Sequence, residues 1–77
     1  MTKELIHKIF KGYITTVRKN RVIICLGYID APENYLKYDP EKEKKVIEIC
    51  KANNFEFNRE IKTEYGNKIV RITFNFI

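Results

Sequence analysis

The sequence predicts a small α+β domain, with two helices on one face of a three-stranded mixed sheet in the order α-β-α-β-β. Three observations lead there. Apolar residues recur at helical spacing through the first 19 residues. A near-continuous apolar run of strand formers fills residues 21–29. Apolar/polar alternation then dominates residues 55–77, on either side of a turn at Gly66. The 77 residues, 44% of them hydrophobic, are enough for one core and too few for a second domain.

The first helix rests on Leu5, Ile6, Ile9, Phe10, Tyr13, Ile14 and Val17. Their steps of one and three alternate, and polar residues or Gly12 fill the positions between them. Thr2 can cap the start, and Asn20 tolerates the left-handed conformation that ends a helix, so the stripe predicts a helix over residues 2–19. On that reading Thr15→Pro abolishes folding, and Gly12→Ala is neutral or stabilising by up to about 1 kcal/mol. A competing arrangement, αββαββ, folds residues 12–29 as a hairpin. Residues 13–17, YITTV, are strand formers, Gly12 can stop a short helix, and Lys19 with Asn20 can make the turn. Seven periodic matches outweigh local propensity, so the long helix is the leading expectation.

Residues 21–29 are apolar on both alternating faces, as in a central strand or one whose second face is covered by another copy of the chain. Residues 30–39, DAPENYLKYD, read as a loop. Asp39 before Pro40 is an N-cap followed by proline at the first helical position, and Glu41 and Glu43 suit the first turn. The second helix extends to about Ala52, with Val46, Ile47, Ile49 and Cys50 inward and Asn53 and Asn54 as its stop. The remainder is a hairpin turned at residues 65–68. Phe55, Phe57 and Ile61 line one strand, and Val70, Ile72, Phe74 and Phe76 the other.

The common catalytic constellations find no foothold. The chain has no serine, which removes every serine-based triad, and three isolated glycines make no phosphate-binding loop. Cys25 and Cys50 sit in apolar runs and read as small buried hydrophobes. With His7 they supply three zinc ligands at most, fewer than a closed structural site needs. The expectation is a non-enzymatic protein with no cofactor and no metal. No stretch is long and apolar enough to span a membrane, and the charged MTKELIHKIFKG start does not resemble a signal peptide, which suggests a soluble cytoplasmic protein.

The helix-strand-helix-hairpin order resembles that of small sulfur-carrier domains, which place a strand and a Cys-Pro-x-Pro motif before the first helix. Here the corresponding residues are MTKELIH, without cysteine or proline, so the resemblance implies topology and no activity.

Charge is the signal that stands above the background. The formal net charge is +5. Residues 1–29 hold six cations against the single carboxylate of Glu4, while residues 30–77 hold nine of each sign. On a long helix Lys8, Lys11, Thr15 and Arg18 form one solvent-facing ridge, extended by Lys19 and Arg21. Such a ridge is the footprint expected for phosphate contacts with DNA or RNA. The bland alternative is that lysine is plentiful in a chain this rich in Ile, Lys and Asn, as AT-rich codons would make it, and that any amphipathic helix needs a wet face. The other reading of function is a protein-interaction module: a homodimer, a small subunit, or a phage or mobile-element inhibitor of a host enzyme. Tyr35 and Tyr38 of the loop would then be its partner-binding residues.

Overall fold

The computed structural model describes residues 2–32 and 36–76. The elements are α1 (Lys3–Ile9), β1 (Ile14–Arg18), β2 (Arg21–Tyr28), α2 (Pro40–Ala52), β3 (Phe57–Glu64) and β4 (Asn67–Asn75). The four strands form one sheet in the order β1-β2-β4-β3, and each neighbouring pair is antiparallel. This corrects the three-stranded mixed sheet and the α-β-α-β-β order: the elements run α-β-β-α-β-β. No two neighbouring strands are parallel, but β2 and β3 run in the same direction on either side of β4, so α2 carries the chain across from β2 to the far edge and β4 returns between them. The topological resemblance to sulfur-carrier domains rested on the corrected order and goes with it.

The long helix fails at Gly12. Thr2 caps α1 by accepting a hydrogen bond from the Leu5 N–H at 3.2 Å, and Ile6 and Phe10 go into the core. The helical pattern then loosens, with the Lys11 N–H bonded to Lys8 and the Tyr13 N–H to Phe10. Gly12 takes φ +92°, a left-handed value that no α-helix contains. From there the strand formers of residues 13–17 assert themselves. Thr15 and Val17 turn toward the core, while Ile14, Thr16 and Arg18 face away. Ile14 and Val17 satisfied the helical spacing, yet they lie on opposite faces of a strand.

Elsewhere local chemistry and structure agree. Asp39 caps α2 by accepting from the Glu41 N–H at 2.9 Å, with Pro40 opening the helix. Beyond Ala52, Asn54 at φ 58° lets the Phe55 N–H return to the Cys50 carbonyl. Tyr65 and Gly66, both at positive φ, turn β3 into β4. No helix among the described residues is long and apolar enough to cross a membrane.

The core lies between the helices and one face of the sheet. Ile6, Phe10, Val22, Ile24, Leu26, Val46, Cys50, Val70, Ile72 and Phe74 form one buried cluster. Phe55 stacks on Phe74 at 4.4 Å, and Phe10 leans on both rings. Between Cys25 and Gly27 the β2–β4 register slips by one residue, a bulge that tucks Leu26 into the core. Gly27 sits there at φ +116°, and a Cβ would lie 2.6 Å from the backbone of Lys37 and Tyr38. Only glycine lets residues 36–38 run close beside Tyr28 and bond to its N–H and C=O.

Candidate functional site

Among the described residues, the other sheet face carries no helix. Across it, from β1 to β3, run Ile14, Thr16 and Arg18; then Cys25, Ile23 and Arg21; then Ile69, Arg71, Thr73 and Asn75; then Lys62, Glu60 and Asn58. Its two halves differ in kind. On the β4–β3 half, Arg71 donates to Glu60 at 3.1 Å and lies 3.9 Å from Glu64. Tyr28 reaches Glu64 at 3.5 Å from the neighbouring strand. Arg71 is only 17% exposed, so two carboxylates neutralise a cation that the sheet has largely removed from water. Its Nε is buried with no hydrogen-bond partner among the described residues.

The β1–β2 half ends in cations. Arg18 and Arg21 are register partners flanking the Lys19 and Asn20 turn, so both guanidinium groups project from the same sheet face. Lys19 occupies the turn at φ 54°. Like charges placed directly across an antiparallel pair work against the fold. Arg21 finds partial relief from Glu60 at 3.5 Å, a carboxylate already engaged by Arg71. Arg18 and Lys19 have no ion-pair partner among the described residues. A shallow depression beside them is lined by Thr16, Arg18, Arg21, Ile23, Cys25 and Arg71, with Glu64 and Ile69 at its far side.

The helical ridge does not exist in this fold. Lys8 ends α1, Lys11 lies in the following turn, and Thr15 points to the core side of β1, its hydroxyl donating to the Tyr13 carbonyl at 3.3 Å. Arg18, Lys19 and Arg21 are brought together, but at a hairpin tip. Lys11 borders a separate hollow with Tyr13, Asp39, Glu41, Lys42 and Lys45, where the signs are mixed. Tyr35 lies outside the described residues. Tyr38 is half-buried and donates its hydroxyl to the buried carboxylate of Glu43, which also accepts from Arg59. The hydrogen bond to Glu43 pushes the Tyr38 phenol above its ordinary pKa.

Sequence reasoning placed Arg71, Glu60 and Glu64 on a polar sheet face of mixed sign and gave them no role in a site. The signal was present in the hairpin: a turn on Tyr65 and Gly66 sets Glu60 opposite Arg71 by simple counting. Burial pushes the Cys25 thiol up, and the Cys50 thiol to about 11. Both are therefore protonated at neutral pH, the form least able to attack or to bind a metal. Cys25 is half-buried on the open face rather than in the core. No group of three or more His, Cys, Asp or Glu among the described residues is placed to hold a metal ion. Comparison with protein-family models, with curated proteins and with solved structures finds no match to this chain.

Proposed function

We propose that the protein is a small non-enzymatic accessory factor that docks on the phosphate backbone of nucleic acid through its β1–β2 hairpin. Arg18, Lys19 and Arg21 are the principal contacts, and Lys8 and Lys11 are outlying ones. One observation carries the reading: three cations occupy four consecutive residues of a turn, two of them directly opposed across the strands, and among the described residues their one ion-pair partner is Glu60, a carboxylate shared with Arg71. An anion between the guanidinium groups would turn that repulsion into two charge-assisted hydrogen bonds. Such contacts fix position and carry no base information, so binding would be sequence-independent and strongly salt-sensitive. A cytoplasmic setting, where thiols such as Cys25 stay reduced, belongs to the same reading.

The test is a mobility shift with duplex DNA and with single-stranded RNA at about 50 mM salt, where electrostatic binding is strongest. Arg18→Glu with Arg21→Glu should abolish the shift. Replacing Lys42, Lys44 and Lys45 by Glu, on a helix whose own Glu41, Glu43 and Glu48 cancel the local field, should matter much less. Absence of any shift with the unaltered protein would overturn the reading. The interaction-module reading would then gain, and Ile14 favours it: 56% exposed at the sheet edge beside half-buried Ile23 and Cys25, it offers an apolar strip to a host protein.

A further inference from the structure

We propose that β3 is a self-complementary edge through which two copies of this chain join into one continuous eight-stranded antiparallel sheet. β3 pairs only with β4, so one side of its backbone is unpaired among the described residues. Hydrogen-bond parity fixes which groups face out. The two-residue turn at Tyr65 and Gly66 closes on Glu64 and Asn67, so Glu64, Lys62, Glu60 and Asn58 bond to β4. The N–H and C=O groups of Phe57, Arg59, Ile61 and Thr63 are the ones left pointing outward. Two such edges meeting about a two-fold axis can pair only in registers that match those odd-numbered residues.

Charge then selects among the registers. With the axis at Ile61, Glu60 of each copy lies across from Lys62 of the other, in the non-hydrogen-bonded position where side chains are closest. Arg59 faces Thr63, and Ile61 meets its own copy, closing six backbone hydrogen bonds around the centre. Ile61 is 48% exposed in the single chain, and Lys62 has no ion-pair partner there among the described residues. Moving the axis one residue one way sets Glu60 against Glu60; one residue the other way sets Lys62 against Lys62 and Glu60 against Glu64. One register is attractive, and its two neighbours are repulsive.

The opposite edge is the wrong one for a second copy. The whole positive excess lies in residues 1–29, which include β1 and β2, so joining two β1 edges would press like charge on like charge. Joining β3 edges brings together the neutral halves and leaves both cationic hairpins free at the outer ends. The dimer therefore stands independently of nucleic-acid binding, and the two ideas fail in different assays.

Sedimentation of the unaltered chain, from about 1 μM to about 1 mM, should show a monomer–dimer equilibrium, since that range populates even an interface of millimolar Kd. Lys62→Glu turns two attractive pairs into repulsive ones and should weaken the dimer at least about tenfold. Ile61→Lys, an exposed position, should do the same while leaving the thermal melt of the monomer nearly unchanged. A chain that stays monomeric to about 1 mM overturns the proposal. So does a dimer whose affinity neither Lys62→Glu nor Ile61→Lys changes, for it must then use another surface.

Discussion

Two residues have structural roles that the sequence did not announce. Gly27 reads as one more small residue in an apolar run, but its φ of +116° and the 2.6 Å approach of the Lys37 and Tyr38 backbone leave no room for a methyl group. Gly27→Ala should cost about 2–4 kcal/mol in denaturant unfolding, combining backbone strain with a clash against atoms that cannot move aside. Glu43 was legible only as a carboxylate suiting a helix start. In the fold it is buried and gathers Tyr38 from the loop and Arg59 from β3. Glu43→Leu should destabilise by about 1–3 kcal/mol, because two donors lose their acceptor. The same change should lower the pKa of Tyr38, because it removes the largest cause of the rise and leaves only the smaller contribution of burial. In the unaltered protein the hydrogen bond to Glu43 raises the folded pKa of Tyr38. Its contribution to stability is therefore complete below the unfolded value and is lost as pH rises through the folded one. An absorbance titration that is identical in the two proteins would refute this account.

Among the elements, α2, β2, β3 and β4 were readable because capping, turn chemistry and period agreed with one another. The segment of residues 10–19 was not, because two periods compete there. Its apolar positions fit a helix, whereas its residue types and Gly12 fit a strand. Seven matches favoured the helix, but three of them (Tyr13, Ile14 and Val17) lay beyond the glycine that ended it. Two substitutions now reverse their expected outcomes. Gly12→Ala should destabilise by about 1 kcal/mol, since φ is +92° even though nothing crowds the site. Thr15→Pro should be tolerated rather than fatal. Arg18, Thr16 and Ile14 carry the β1–β2 hydrogen bonds, so the Thr15 N–H points away from the sheet at an edge, where proline is admissible. Loss of the folded circular-dichroism signal in Thr15→Pro would contradict the hairpin.

At the scale of the whole molecule, the segregation of charge outlived the element that was expected to carry it. The helix broke, but Arg18, Lys19 and Arg21 remained together, because the turn that replaced the helix sets residues 18 and 21 side by side. Lys8, Lys11 and Thr15 scattered to three different places, which reduces the expected number of strong phosphate contacts from six residues to three. That number is measurable. Each neutralised phosphate on B-DNA contributes about −0.9 to the slope of log K against log salt, so three contacts give a slope of about −2.7. On the proposed reading, Arg18→Ala and Arg21→Ala should each bring the slope about one unit nearer zero, and similarly for unrelated DNA sequences, as expected of contacts to phosphate alone. Lys8→Ala should leave the slope almost unchanged if the hairpin alone makes the principal contacts. If Lys8→Ala instead lowers it as much as Arg18→Ala does, the phosphate track crosses α1, and the contact surface is a belt around the cationic end rather than its tip.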